Sequence, residues 1–131
     1  MSEADLVKSA VEARHRAYAP YSKFPVGAAL LAKDGRVFTG CNVENASYGL
    51  TVCAERVALL KAVSEGACQF SALAVACGIG FCAPCGACRQ VLAEFAPDLK
   101  VIMADGEGRV WRETTLTALL PESFGPKDLC P

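Results

Sequence analysis

Cysteines at positions 53, 85 and 88 are the residues whose types and spacing point most directly to chemistry. Cys53 lies two residues before Glu55, and Cys85 and Cys88 form a Cys-x-x-Cys pair directly after Pro84. Three thiolates can hold one zinc ion and leave its fourth tetrahedral position free, which is typical of a catalytic site rather than a structural one. Glu55 is then interpreted as the proton-transfer group for a water molecule activated by the metal. The pattern predicts hydrolysis with one Zn²⁺ per chain.

Two other functions of these cysteines are compatible with the spacing alone. A structural zinc site would need a fourth ligand, and Cys82, three residues before Cys85, is the nearest candidate. Such a site would leave Glu55 without a role. A lone Cys-x-x-Cys pair also occurs in thioredoxin-like redox sites. The remaining cysteines are more distant candidates, and we otherwise expect them to be small apolar residues or spare thiols: Cys41, Cys68, Cys77 and Cys130.

Arg56 follows the candidate proton-transfer residue directly. Three thiolates around a divalent cation make a net negative centre, which raises the cost of forming hydroxide there. An arginine can offset this charge by donating hydrogen bonds to the sulfurs and reducing their electron donation. We therefore interpret Arg56 as a residue that supports the zinc thiolates, the alternative being an ordinary surface arginine.

Length and composition limit the classes of protein that the chain can belong to. Its 131 residues suit one domain, residues 1–131, and 53% of them are hydrophobic, so part of the surface is expected to be subunit interface. Thirteen Lys and Arg against 14 Asp and Glu, without a run of like charge, argue against a nucleic-acid groove. No signal segment and no long apolar segment is visible, so we expect a cytoplasmic protein with reduced thiols and no membrane partner.

Hydrophobic periodicity and turn signals predict alternating helices and strands. The predicted helices span about residues 3–18, 52–64 and 85–95, with Thr51 capping the second, and Thr114 begins a last short helix. The predicted strands span about residues 26–32, 36–41, 72–77, 100–104 and 109–112. The first two strands flank a two-residue Asp34-Gly35 hairpin turn, and the last two are too close in sequence for parallel pairing. The tail from residue 122 is expected to be irregular.

These elements place both cysteine motifs at the starts of helices. The longer connections allow right-handed crossovers, so the five strands are expected to form a mixed sheet covered by helices on both faces. Cys53 and Cys85 would lie at helix N-termini, whose positive ends stabilise thiolates. Loops that lead from strands into helices converge at one edge of such a sheet. The two motifs are therefore expected to meet there.

Three sequence blocks carry a resemblance to a known family. The blocks run from Tyr21 to Ala29, from Gly40 to Gly49 and from Pro84 to Gln90. The Cys53-Ala-Glu55-Arg56 motif lies between the second and the third. Together they resemble the zinc-dependent cytidine deaminases, in particular their small homotetrameric class. The resemblance extends from about residue 5 to residue 125. It implies a three-layer α/β/α fold of the cytidine-deaminase type and zinc as the cofactor.

The resemblance also implies a reaction. Cytidine and deoxycytidine would be hydrolysed to uridine and deoxyuridine with release of ammonia, as in pyrimidine salvage. Glu55 would take a proton from water, pass it to ring N3, and carry a second proton to the leaving amino group. A blasticidin-type antibiotic deaminase and a non-catalytic structural zinc module are the alternatives. The former shares the zinc blocks, and the latter would not depend on Glu55.

Further residues are implied to bind the substrate. Phe24 matches the family residue that lies against the pyrimidine ring, although the residue alone could equally be part of the core. Asn42 and Glu44 match the pair that bonds the ribose 3′-hydroxyl, although Asn-x-Glu is otherwise typical of a solvated turn. The backbone near Ala54 is expected to bind the carbonyl edge of the base. A carboxylate at position 44 would also repel phosphate, which favours nucleosides over nucleotides.

Three residues are implied to act between subunits. Ala46 and Tyr48 resemble residues that reach the site of an adjoining subunit, and Phe124 resembles the C-terminal aromatic residue that closes a neighbour's pocket. A monomer would then be inactive. Loop packing by Tyr48 and anchoring of the tail by Phe124 are the alternative roles. One departure from the family pattern is Cys82, a thiol where a small hydroxyl or apolar residue is expected.

Overall fold

A five-stranded mixed sheet lies between two layers of helices. The computed structural model describes residues 1–129, so Cys130 lies outside the described residues. The strands are β1 (Gly27–Ala32), β2 (Val37–Cys41), β3 (Phe70–Ala76), β4 (Lys100–Ala104) and β5 (Trp111–Thr115). The helices are α1 (Glu3–Arg14), α2 (Ala54–Ser64), α3 (Gly86–Phe95), α4 (Leu116–Leu119) and α5 (Pro126–Leu129), with a short 3₁₀ turn at Tyr48–Leu50.

The strand order is β2-β1-β3-β4-β5. Strand β1 pairs antiparallel with both β2 and β3, β3 pairs parallel with β4, and β4 pairs antiparallel with β5. The parallel pair is joined through α3, which provides the crossover that such a connection requires. The predicted mixed sheet and its two antiparallel hairpins are confirmed.

Each face of the sheet is covered by its own helices. Helix α1 packs on one face, where the side chains are mostly small: Leu6, Val7 and Ala10 lie against Ala29, Ala74, Ala76 and Ile102. Helices α2 and α3 cover the other face with a bulkier core: Leu59 and Leu92 pack with Leu30, Leu73, Val75 and Val101. The three-layer prediction is therefore confirmed.

Two glycines allow the helices to lie very close to the sheet. A Cβ built on Gly27 would come within 2.0 Å of the Ala10 carbonyl oxygen in α1. A Cβ built on Gly40 would come within 2.5 Å of the Ala54 carbonyl oxygen in α2. Glycine is needed at both positions because the backbone of a helix occupies the space of a side chain. At Gly40, this contact fixes the height of the first turn of α2, directly after Cys53.

Several predicted boundaries were wrong where tertiary contacts end an element. Helix α1 stops at Arg14 rather than near residue 18, because Tyr18 leaves the helix to bridge Val43. Helix α2 begins at Ala54 with Cys53 as its N-cap, so Thr51 is not the cap. The Thr51 hydroxyl instead accepts a hydrogen bond from the backbone of Asn45.

The C-terminal third also departs from the prediction. Strand β5 lies two to three residues later than residues 109–112, and Thr115 rather than Thr114 caps the following helix. The turn before β5 is longer than expected because Asp105 accepts backbone hydrogen bonds from Arg109 and Val110. A short helix, α5, lies within the tail that was expected to be irregular. Within residues 1–129, no helix has the length and apolar character needed to cross a bilayer.

Candidate metal centre and active site

The three cysteines of the predicted zinc site meet at the starts of two helices. Cys53 is the N-cap of α2 and Cys85 is the N-cap of α3, while Cys88 lies in the first turn of α3. Neither N-cap side chain makes a capping hydrogen bond to its own helix. The Cys53 and Cys85 sulfurs are 3.8 Å apart, and those of Cys85 and Cys88 are 3.4 Å apart. All three sulfurs lie within 4.8 Å of one another.

This cluster fits a zinc ion. With Zn–S bonds of about 2.3 Å, ligands at the corners of a tetrahedron are separated by roughly 3.8 Å, close to the observed sulfur spacing. Among residues 1–129, no fourth Cys, His, Asp or Glu joins the group. The donor set therefore suits one zinc ion per chain with a coordination position left for a non-protein ligand, as expected of a catalytic site.

Cys82 does not join the zinc cluster. It pairs with Cys77 as a disulfide, and the Cα atoms of the two residues are 6.4 Å apart. The intervening turn brings the two residues together, with Gly80 at a φ of +77°. This pairing corrects the expectation that Cys77 is an apolar residue or spare thiol and that all thiols are reduced. It also removes Cys82 as a fourth zinc ligand in this structure.

Arg56 contacts the cluster. Its Nη2 atom lies 3.4 Å from the Cys53 sulfur. The pKa of Cys53 is lowered to about 5, chiefly by a hydrogen bond from Cys88, with Arg56 as a further donor. The hydrogen bond between Cys53 and Cys88 also raises the pKa of Cys88, and burial of Cys88 raises it as well. The protein environment thus stabilises a thiolate at Cys53, the form in which cysteine binds a metal.

Glu55 lies beside the cluster in the first turn of α2 and is only 5% exposed. The pKa of its carboxyl group is raised from an ordinary value of 4.5 to about 7, chiefly by burial, with the neighbouring Cys53 charge as a smaller cause. Such a carboxyl group can accept a proton and return it near neutral pH. A buried carboxylate that only stabilised the fold would normally be paired with a cation.

A cavity of about 280 Å³ opens next to Glu55. This volume is near the lower end of small-molecule sites, which are about 300–1,000 Å³. Loops after α1, β2 and β3 and the start of α2 form its walls. Most of the predicted base-binding and sugar-binding residues line it, together with residues of the zinc cluster: Phe24, Asn42, Glu44, Cys53, Ala54, Glu55 and Cys85.

The polar groups of this cavity are held by the loop that follows α1. The Asn42 amide oxygen accepts a hydrogen bond from the backbone of Val26 at 2.8 Å, and its nitrogen donates to the Phe24 carbonyl at 3.0 Å. Asn42 is buried and braces this loop, whereas Phe24 is 48% exposed and available to a ligand. Phe24 is therefore not a core residue under β1.

Three predicted residues do not reach this cavity within their own chain. Ala46 and Tyr48 lie on an exposed loop, and the Tyr48 ring is 6.0 Å from that of Tyr21. Tyr48 lines a neighbouring cavity with Ser22 and Glu44. Phe124 is 58% exposed, and its carbonyl accepts a hydrogen bond from Gln90 at 2.9 Å.

Several residues around the site were not predicted to line the cavity or to support the cysteine cluster. Ser22, Thr51 and Val75 also line the cavity. Arg89 donates hydrogen bonds to the Pro84 and Leu119 carbonyls, each at 2.7 Å, and so holds the segment before Cys85. Ser22 and Arg89 belong to the motif blocks, but their residue types alone do not show which groups they bond.

Comparison with known proteins agrees with this geometry. Residues 1–104 match the family model of the cytidine and deoxycytidylate deaminase zinc-binding region. The chain belongs to the cytidine and deoxycytidylate deaminase family. A cytidine deaminase from Sporosarcina psychrophila is 52% identical over 126 residues, covering 95% of this chain and 92% of the relative. One from Halalkalibacterium halodurans is 53% identical over 126 residues, with 95% of each chain covered.

Solved structures of the cytidine deaminase family share the fold. The crystal structure of a cytidine deaminase from Burkholderia pseudomallei has a TM-score of 0.90 and 50% identity to this chain. The match covers 95% of this chain and 100% of that one. The family matches therefore extend beyond the cysteine motifs to nearly the whole fold, and zinc is the cofactor that the cysteine cluster is positioned to hold.

Proposed function

We propose that this protein hydrolyses cytidine and deoxycytidine to uridine and deoxyuridine with release of ammonia. The observation that carries the proposal is the position of Glu55, which is buried beside three convergent cysteine sulfurs and faces a nucleoside-sized cavity. Family membership and relatives named cytidine deaminase support the same reaction.

The cysteines and Glu55 have different roles in the proposed reaction. Zinc, when bound by Cys53, Cys85 and Cys88, supplies a Lewis acid that makes water a stronger nucleophile at neutral pH. Glu55 accepts the proton released by the attacking water and delivers it to ring N3, which makes C4 more electrophilic. It then takes the remaining proton of the water from the new C4 hydroxyl and delivers it to the amino group, which leaves as ammonia while the C4 carbonyl forms. Water and cytidine are thus converted to uridine and ammonia without another reactant.

Substrate contacts follow from the cavity. Phe24 packs against the pyrimidine ring, and backbone groups at Ala54 bond its carbonyl edge. Glu44 and Asn42 bond the 3′-hydroxyl of the sugar, so both ribonucleosides and deoxyribonucleosides are accepted. The Glu44 carboxylate disfavours a phosphate, so free nucleosides are better substrates than nucleotides.

We further propose that the active form is a homotetramer with shared sites. Tyr48 is 75% exposed and Leu50 66% exposed, and Phe124 is also uncovered in the single chain. Such large exposed apolar side chains are typical of interfaces. Ala46, Tyr48 and Phe124 would then complete the cavity of an adjoining subunit.

Turnover by purified protein tests the proposed reaction. Wild-type protein and the Glu55→Gln variant are incubated with cytidine, deoxycytidine and cytidine monophosphate, and ammonia release and zinc per chain are measured. We expect turnover of both nucleosides by the wild type, poor turnover of the monophosphate, and a loss of about 10²–10⁴-fold in Glu55→Gln with zinc retained. Equal zinc content without nucleoside turnover in either protein would favour a structural zinc module. Good turnover of the monophosphate would contradict the role of Glu44 in excluding phosphate.

A further inference from the structure

Ser22 contacts two of the proposed substrate-binding residues at once. It lies in the loop between α1 and β1, at the edge of the cavity. Its hydroxyl donates a hydrogen bond to the Glu44 carboxylate and accepts one from the backbone N–H of Phe24 at 3.0 Å. The hydroxyl therefore links the residue proposed to hold the sugar to the residue proposed to hold the base.

Both carboxylate oxygens of Glu44 accept hydrogen bonds from this loop, which orients the side chain. Oε2 accepts the Ser22 hydroxyl, and Oε1 accepts the backbone N–H groups of Tyr21 and Ser22 at 3.0 and 3.1 Å. These contacts also lower the pKa of Glu44, with the Ser22 hydroxyl as the largest cause. An ionised carboxylate is purely an acceptor, so its remaining lone pairs are available to a ligand hydroxyl.

The Ser22 hydroxyl also bridges the residue of this loop with an unusual backbone conformation. Lys23 has a φ of +58°, a conformation that residues other than glycine rarely adopt. The hydrogen bond from Phe24 to the Ser22 hydroxyl spans this residue. Loss of that hydroxyl would remove one hydrogen bond from Glu44 and one from Phe24, while the backbone contacts of Glu44 and the Asn42 contacts with the loop remain.

We propose that Ser22 is a positioning residue that sets the separation between the Phe24 ring and the Glu44 carboxylate, so that base and sugar are bound together. The inference rests on the proposed function. It predicts that Ser22 contributes to the binding of substrates that carry both a pyrimidine and a 3′-hydroxyl. A carboxylate that is already oriented loses less conformational freedom when it binds the sugar.

The test compares cytidine with its 3′-deoxy analogue, which lacks the hydroxyl assigned to Glu44. Wild-type protein, Ser22→Ala, Ser22→Thr and the remote exposed control Ser71→Ala are assayed for KM and kcat. We expect Ser22→Ala to raise KM for cytidine about tenfold with kcat within about twofold, because one hydrogen bond to a charged group is lost. The analogue should change by less than about twofold. Ser22→Thr should keep most of the affinity, and Ser71→Ala should match the wild type.

The outcomes separate this inference from the proposed function. Equal losses on both substrates would mean that Ser22 only stabilises the loop, and an unchanged KM in Ser22→Ala would mean that it does not orient Glu44. Either result, obtained with an active wild type, overturns the positioning role alone. A wild type that neither binds cytidine in calorimetry nor releases ammonia from it overturns both.

Discussion

Arg56 lies beside the cysteine cluster and is proposed to adjust the metal centre without binding the metal. Its guanidinium group lies against the Cys53 sulfur, and this contact helps to lower the thiol pKa. Three thiolates donate more charge than neutral imidazoles would, so a cation that withdraws part of this charge keeps the centre electrophilic. The planar group can donate several hydrogen bonds in fixed directions, which a lysine cannot do.

Replacement of Arg56 by alanine should therefore weaken the centre. We expect kcat or zinc affinity to fall by about 10–100-fold, the usual effect of losing a group that bonds a metal ligand. Zinc titration with a chelating competitor and steady-state kinetics would measure the two effects separately. Arg109→Ala is a matched control, because that arginine is exposed and pairs with Glu107 on the surface. Equal behaviour of the two variants would contradict the role of Arg56.

The chemistry of the site could be predicted from the sequence because it depends on residue type and spacing. Cys53, Cys85 and Cys88 carry the donor atoms, and Glu55 lies two residues after the first of them. The contacts of Ser22 could not be predicted, because a serine in a loop has many possible partners. The Cys77–Cys82 disulfide was missed for a similar reason: its geometry depends on a turn that spacing does not specify.

At the scale of elements, close contacts between helices and strands position the site. Gly27 lets α1 approach β1, and Gly40 lets α2 approach β2. The periodicity of apolar residues predicted the elements and their types. Their ends were less predictable because bridges and loop hydrogen bonds compete with the helix, as Tyr18 does at the end of α1.

A methyl group at position 27 should separate α1 from the sheet. In Gly27→Ala, the added Cβ would lie 2.0 Å from the Ala10 carbonyl oxygen and 2.4 Å from the Arg14 backbone nitrogen. We expect the free energy of unfolding to fall by about 3 kcal/mol, as in a strongly overpacked core. Denaturant unfolding measures this loss. Gly49→Ala, where a Cβ would meet nothing within 4 Å, should change stability by less than about 0.5 kcal/mol.

At the scale of the whole molecule, the single chain leaves large aromatic side chains exposed. Cys53, Cys85 and Glu55 line the cavity of the single chain, whereas Tyr48 and Phe124 lie outside it and are exposed. The sequence indicated this surface through its apolar content and family blocks. It could not show which side chains stay uncovered, because that depends on the folded chain.

Complementation between inactive variants would test the proposed sharing of sites. Glu55→Gln lacks the proton-transfer group, and Phe124→Ala lacks the residue proposed to close a neighbour's cavity. If sites are shared, refolding the two variants together should restore activity, because some sites combine an intact Glu55 with an intact Phe124. Light scattering on the same samples would establish the assembly. Mixed oligomers without recovered activity, or an active monomer, would contradict the proposal.

The N-termini of α2 and α3 meet at the cysteine cluster, and this arrangement affects how readily the backbone opens there. Cys53 and Cys85 occupy N-cap positions without bonding the first amides of α2 and α3, unlike the Ser2 and Asp5 capping box of α1. A bound ion would tie these two starts to each other. Removal of zinc by a chelator should therefore speed amide hydrogen exchange in the first turns of α2 and α3, measured by mass spectrometry, while the first turn of α1 keeps its rate.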